Sequence, residues 1–393
     1  MTLRSFLYLT QLEEYDTKRI YTWLANNPNR EVTEIKKQLV WTNKIRLLSF
    51  IAHLLFFLPP ERSVLLGLQL LHPLDSFLKF LFVTIASLKL RLFHHQLRTI
   101  VITGSWGKTT CKDTLLHLIS TKYHTQSTTA NQNTLLGIAK KVLFLPSNTQ
   151  IFIVEAGAYQ PGDIAAICRL VKPQIGIITA IGPMHLERFG TQDNIQKTKM
   201  ELAVSIFPQG QLYLPQDQKS SLSKFPIHTK NIHFFDNLDQ VYHHLGQQFG
   251  LQNITTSLKS LPISDHRLQI IKNGSISIID DTYNSNPVGF RLALDKLKSL
   301  KSKNNILVTP GMIELGSLQA SENSRLIKLA DTICQHLILV GQTNRSAFQS
   351  ALKKPKSTVH YVQTISEAQS ILSSISTPNS AILFENDLPD QYF

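Results

Sequence analysis

The sequence predicts an α/β protein: two units, each a parallel sheet covered by helices, behind an apolar helical head. Three observations carry this. From residue 99 onward, short β-branched runs alternate with helical stretches; one run enters a glycine turn followed by a helix; residues 1–97 instead hold two apolar blocks. Strands buried on both faces read as near-continuous apolar runs, and such runs separated by helices imply parallel pairing. The strands expected are 99–103, 150–154, 175–179, 276–280, 305–309, 337–341 and 381–384. The stretch 215–262 is the most polar and reads as a variable section before a second unit opens near Ser264. The expected division is therefore 1–97, 98–263 and 264–393.

The head carries 13 Lys or Arg against 7 Asp or Glu over residues 1–99. Its apolar blocks, 47–60 and 77–88, are each too short for a membrane span, which needs about 20 apolar residues. The first stops at Pro59-Pro60 and the second is interrupted by Lys79. Flanking bases (Lys44, Arg46, Arg62, Lys89, Arg91) and Trp41 suit an interfacial or re-entrant hairpin on an anionic membrane surface. The competing reading is a helical pair packed on the body of the protein. No secretory signal pattern opens the chain. Cys111, Cys168 and Cys334 lie far apart without CxxC spacing, arguing against a zinc ribbon or a disulfide framework and for the reducing cytosol, peripheral or re-entrant at the inner face of the membrane. The formal charge of +13 suits a polyanionic partner. Nucleic acid is disfavoured because no aromatic or helix-turn-helix pattern accompanies the charge.

Strand 99–103 runs into Gly104-Ser105-Trp106-Gly107-Lys108-Thr109-Thr110 and then a helical pattern. Glycines let backbone N–H groups approach phosphate, the helix N-terminus adds positive potential, Lys108 supplies a point charge and Thr109 a hydroxyl for Mg²⁺. The loop is shorter than the usual phosphate loop, reading G-x-x-G-K-T-T. Glu155, just past strand 150–154, is positioned to hold a hard cation. His185 and Lys199 follow downstream; on residue chemistry alone His185 reads as a structural hydrogen bonder and Lys199 as part of a solvated helix face.

These residues, in this order, resemble the Mur ligases, ATP-dependent amide-bond formers, over about 97–393. The resemblance implies a central ATP-binding parallel-sheet domain and a Rossmann-like C-terminal domain. His185 lies in a stretch similar to the family's A-H-L-E-x-F-G and would bind magnesium. Lys199, in a K-x-E arrangement with Glu201, resembles a lysine carbamylated by CO₂, with Lys197 one step too far from the glutamate. Lys108, Lys199 and His185 would be catalytic. ATP would be held by Gly104, Ser105, Gly107, Lys108, Thr109 and Thr110 with Arg267 and Asp281, and two Mg²⁺ ions by Thr109, Glu155, His185 and Lys199. Asn131 and Asn133 resemble a substrate-binding N-x-N segment.

Asp280-Asp281-Thr282-Tyr283-Asn284-Ser285-Asn286-Pro287 resembles the branch that joins D-alanyl-D-alanine to a muramoyl tripeptide, with Tyr283, Asn284 and Asn286 facing substrate. That makes a muramoyl peptide, nucleotide-linked or lipid-linked, the expected acceptor in peptidoglycan precursor synthesis. The loop 309–316, with Glu314, is similar to that branch's G-D-M-x-E-L-G, but Pro310-Gly311-Met312 lacks the Asp, and Asn323 stands where the branch has His. The family's N-terminal nucleotide-binding domain has no counterpart in residues 1–97. The alternatives are a membrane-linked polyglutamate synthase and a non-catalytic nucleotide-binding scaffold.

Overall fold

The computed structural model describes every residue except 29–30, 35–36, 130–131, 260–267, 284, 389–391 and 393. Strands β1 (Arg98–Thr103), β2 (Thr125–Ser127), β3 (Ile151–Glu155), β4 (Ile175–Ile178), β5 (Gln211–Pro215) and β6 (Asn231–Phe235) form one sheet in the order β2-β3-β1-β4-β5-β6. Every pairing in it is parallel. Alternate residues point to opposite faces, so Val101, Phe152 and Val154 enter one apolar cluster while Ile100, Ile102, Ile151 and Ile153 enter another. Burial on both faces explains why β1, β3 and β4 were legible as apolar runs. β1 lies between β3 and β4, and the chain order reverses there, leaving a crevice at the strands' carboxyl ends.

The second sheet contains β7 (Gln269–Asn273), β8 (Ile276–Asp281), β9 (Asn305–Thr309), β10 (His336–Val340), β11 (Thr358–Val362) and β12 (Ala381–Glu385), ordered β11-β10-β9-β12-β8-β7. Only β7 runs antiparallel. The polar stretch 215–262 is more regular than its composition suggests, containing β6 and helices at Leu238–Gln248 and Ile254–Lys259.

The head folds as helices α1 (Leu3–Leu12), α2 (Thr17–Asn26), α3 (Asn43–Leu54) and α4 (Pro60–Phe93) around a core including Phe6, Leu9, Trp23, Leu48 and Leu68. Side chains of α1 tie down the irregular stretch that follows α2: Ser5 Oγ donates to Val32 O at 2.7 Å and Tyr8 Oη to Lys37 O at 2.9 Å. α4 has 34 residues, roughly 50 Å at 1.5 Å per residue, and carries Pro73 in its interior. Its first half packs in the head; farther on, Ala86 is fully buried in the central domain's core with Val83 and Leu90 against it. The packed-pair reading therefore describes one side of α4. On the other side Leu70, Phe77, Phe80, Leu88 and Leu92 are exposed, as are Phe56 and Phe57 at the α3–α4 turn. No described helix is long and apolar enough to cross a membrane. Two of the flanking bases are engaged within the protein: Lys89 donates to the carbonyls of Leu143 and Leu145 at 2.9 and 2.8 Å, and Lys44 pairs with Asp75 at 2.5 Å. All three cysteines are buried and free.

Candidate active site

The loop after β1 is held by the exit of β4. Thr179 Oγ1 donates to Trp106 O at 2.5 Å, Ser105 Oγ donates to Gly182 O at 2.9 Å, and Ser105 Oγ accepts from Gly182 N–H at 3.0 Å. Gly104 has φ +148°, and a Cβ there would lie 2.1 Å from Thr179 Oγ1, so only glycine fits. Gly107, at φ +78°, starts helix α5 (Lys108–Ile119) without a side-chain cap, leaving that N-terminus suited to an anion. Lys108 Nζ folds back onto the carbonyls of Gly104 and Ser105 at 2.8 and 3.1 Å.

A pocket of about 220 Å³ opens over this loop. It brings together Gly104, Ser105, Gly107, Lys108, Thr109, Asn133, Glu155, His185 and Lys199, with Tyr283 and Asn286 reaching in from the second sheet's side. Thr110 is exposed on the first turn of α5 and does not line the pocket. Asp281, at the end of β8, also lies off it, accepting Leu268 N–H at 3.1 Å. Asn131, Asn284 and Arg267 fall outside the described residues. Asn286 has a local duty as well: its Oδ1 caps the helix Pro287–Ser299, accepting from Val288 and Gly289 N–H at 3.2 and 2.9 Å.

Glu155 is buried at the carboxyl end of β3, and its Oε2 has no hydrogen-bond partner. Lys112 Nζ, one helical turn beyond Lys108 on α5, is 3.7 Å away. A buried carboxylate oxygen left unbonded is costly and marks a place for a cation. Among the described residues no three His, Cys, Asp or Glu side chains converge as a metal cage. Magnesium bound with a nucleotide does not require one, because phosphate and water supply most of its oxygens.

Helices α6 (Leu135–Leu143), α7 (Asp163–Val171), α8 (Leu186–Phe189) and α9 (Gln192–Ser205) complete the central domain's nearer wall. Glu201 on α9 accepts Gly162 N–H at 2.6 Å and Ala165 N–H at 2.9 Å, tying α9 to the start of α7. Two residues earlier on α9, Lys199 is buried and lines the pocket, whereas Lys197 is exposed. Burial, and next the Lys108 charge, lower the Lys199 ammonium to about 7. Near neutrality much of it is free amine.

His185 Nδ1 is hydrogen-bonded to Glu314 of the C-terminal domain. Arg188 lies 3.5 Å and Arg19, from α2, 3.8 Å from the same carboxylate. Arg188 also donates to Glu14 at 3.1 Å and stacks over the Tyr159 ring at 4.0 Å, while Arg19 pairs with Glu13 at 2.8 Å. Burial opposes ionisation of Glu314, but the His185 hydrogen bond and the His185, Arg188 and Arg19 charges outweigh it and hold the carboxyl at about 2. Glu314 thus joins the head, the central domain and the C-terminal domain. Neither Arg19 nor Lys112 belongs to any motif visible in the sequence. Glu314 sits in a recognised loop, but only the fold brings it to His185.

Asn323 is fully buried: it accepts Met312 N–H at 2.8 Å, and its amide donates to Met312 O and Gln319 O at 2.9 Å each. It therefore shapes the loop bearing Glu314.

The glycine-turn loop between the two α/β sheets, with a buried carboxylate and a buried lysine beside it, makes a pocket whose chemistry suits a phosphate-bearing ligand. The family model for the Mur ligase middle domain matches residues 102–275, and that for the Mur ligase, glutamate ligase domain matches 266–385. The chain belongs to the Mur ligase family. It is 28% identical over 263 residues to the UDP-N-acetylmuramoyl-tripeptide--D-alanyl-D-alanine ligase of Bacillus subtilis, covering 56% of this chain and 58% of that protein. The chain thus spans a little under three fifths of that curated relative's length. Its fold is similar to MurF from Acinetobacter baumannii (TM-score 0.69, 24% identity, 79% of this chain and 77% of that one). It is also similar to MurF from Thermotoga maritima in complex with ADP (TM-score 0.67, 20% identity, 79% and 80%). Both family matches begin beyond the helical head.

Proposed function

We propose that this chain is an ATP-dependent, ADP-forming amide ligase that joins D-alanyl-D-alanine to a muramoyl tripeptide during peptidoglycan precursor synthesis. The observation that carries the reading is the single pocket lined by the phosphate loop, Glu155, His185 and Lys199 from one domain and by Tyr283 and Asn286 from the other. Similarity to a curated ligase of that specificity supports the substrate assignment.

The tripeptide carboxylate attacks the γ-phosphorus of ATP, the bond to the β,γ-bridging oxygen breaks, and an acyl phosphate and ADP result. The dipeptide amine then adds to the acyl carbon and loses a proton, and inorganic phosphate leaves. Lys108 exchanges the Gly104 and Ser105 carbonyls for phosphate oxygens and, with the N-terminus of α5, stabilises the charge moving toward ADP. Thr109 would hold one Mg²⁺, and Glu155, His185 and a carbamylated Lys199 a second; bound there, the ions neutralise phosphate charge. Free Lys199 amine adds to CO₂ and releases a proton, turning a buried cation into an oxygen ligand. Asn133 orients the carboxylate with a neutral amide. Enclosure between the two domains protects the acyl phosphate from water.

The head rests on the membrane's anionic cytoplasmic face, which suits its exposed apolar row and the bases Arg46, Arg62 and Arg91, which have no ion pair among the described residues. The test of the ligase reading is ADP release by the purified chain given ATP, Mg²⁺ and bicarbonate. Release that requires both muramoyl tripeptide and D-alanyl-D-alanine supports it; release with glutamate in place of the dipeptide moves the chain to polyglutamate synthesis.

A further inference from the structure

A second cavity, of about 1490 Å³, lies between the head and the two α/β domains. It meets the catalytic pocket at Gly157 and Tyr159, which line both. Its near end is polar, formed by the Glu14, Arg19, Arg188 and Glu314 network, in which Arg19 Nη1 and Arg188 Nε are buried without a hydrogen-bond partner among the described residues. Its far end is walled by Leu47, Leu71, Leu74, Leu78 and Phe82. Lys79 and Lys140 stand at this apolar end without an ion pair among the described residues, Lys140 Nζ lying 5.8 Å from the Phe82 ring. Leu74 and Leu78 then continue outside the cavity as the exposed row Leu70, Phe77, Leu81, Ile85 and Leu88 along α4. Spacings of three and four residues keep that row on one face of the helix.

The order of chemistries, moving away from the catalytic pocket, is hydrogen-bonding, cationic, then aliphatic and open. Asn26, Asn27 and Asn43 and the Tyr15 and Trp23 rings also line the cavity, but beside Lys79 and Lys140 the wall is Leu74, Leu78 and Phe82 and leads outward along α4, a path that serves an apolar chain rather than a base. From this sequence of surfaces we infer that the acceptor is carried on a diphosphate bearing a long apolar chain. Its peptide lies in the polar end, its diphosphate beside Lys79 and Lys140, and its chain along the outer face of α4. The inference rests on the ligase reading and specifies the substrate class of that same site. On this view the head replaces a nucleotide-binding wall with a lipid-guiding one.

The experiment measures dipeptide-dependent ADP release by the full chain with one muramoyl tripeptide in three forms: on a polyprenyl diphosphate in phosphatidylglycerol-containing vesicles, on UDP, and with no carrier. The expected result is kcat/KM for the polyprenyl form at least about tenfold above the UDP form, the gain from burying even a few methylenes. Leu78→Glu and Lys79→Glu should each raise KM for the polyprenyl form about tenfold, leaving kcat with the carrier-free tripeptide unchanged. Both positions are solvent-exposed, and unchanged melting curves verify folding. Equal or better use of the UDP form, or variants that slow all three forms alike, overturns the inference while leaving the ligase reading intact. ADP release from none of the three overturns the ligase reading and this inference together.

Discussion

The wall that carries the phosphate loop and the helical head that faces it are built on opposite plans. In the central domain, chemistry sits in short loops at strand ends, where backbone geometry fixes each functional atom: Gly104 and Gly107 admit conformations other residues resist, and Glu155 is fixed by its position on β3. In the head no loop motif exists, and its contribution is surface: an apolar helix face, a few bases, and Arg19 reaching the Glu314 network. The contrast teaches that a phosphate loop depends on exact backbone geometry, whereas the wall proposed to guide an apolar chain depends only on an ordered gradient of polarity. Variants in the two regions should therefore differ in kind as well as size.

The largest effect is expected on the catalytic side. Lys108→Ala should lower dipeptide-dependent ADP release by about three orders of magnitude, because a transition-state charge partner is lost. Its melting temperature should scarcely change, since the lysine's present partners include two carbonyls of its own loop. A variant retaining full turnover would reduce this wall to a scaffold.

Lys199 comes next and carries a pH signature. With its amine near 7, it is mostly free at pH 8 and about nine-tenths protonated at pH 6. Removing dissolved CO₂ and bicarbonate should depress turnover, and restoring bicarbonate should recover it several-fold more effectively at pH 8 than at pH 6. Lys199→Ala should lose about a hundredfold and respond to bicarbonate at neither pH. A CO₂-independent rate in the unaltered chain would mean that Lys199 acts as the amine itself.

Asn323→Ala should destabilise the C-terminal domain by about 2–3 kcal/mol in denaturant unfolding, since buried Met312 and Gln319 groups lose their partner. The network at Glu314 gives a smaller effect with a defined sign. Its carboxyl is held at about 2 against an ordinary value near 4.5. The stabilisation is therefore complete above about pH 4.5 and fades as pH falls toward 2. Glu314→Gln should lower the melting temperature at pH 6 and converge with the unaltered chain only as pH falls to about 2. Arg19→Ala should show a weaker version of the same trend, sharpening how much the head adds to the domains it covers. Smallest of all, Phe56→Ser at the α3–α4 turn, where the ring is 85% exposed, should shift stability by less than about 0.5 kcal/mol.

The same division governs what could be read in advance. Strands β1, β3, β4, β8, β9, β10 and β12 announce themselves as apolar runs because helices or neighbouring strands cover them. β2, β6, β7 and β11 are sheet edges, and their mixed sequences, such as Asn231–Phe235 with its half-buried His233, hide the strand. β5, an interior strand, is masked by its polar ends at Gln211 and Pro215. The phosphate loop and Glu155 were legible because each follows the end of an apolar strand. His185 and Lys199 were legible only through the family resemblance, their residue chemistry alone reading as a hydrogen bonder and a solvated helix face. Lys112, Glu314 and Arg19 were not, because their partners are 43, 129 and 295 residues away in the chain and only tertiary packing joins them. The large cavity shares that fate, having walls from all three parts of the molecule.

The most direct measurement of the central claim is ADP formation by the purified full chain with ATP, Mg²⁺, bicarbonate, muramoyl tripeptide and D-alanyl-D-alanine. The account predicts one ADP and one new amide bond per turnover, with no product when either acceptor or dipeptide is omitted. ADP release indifferent to both, or no ADP with the tripeptide in any carrier form, would contradict it.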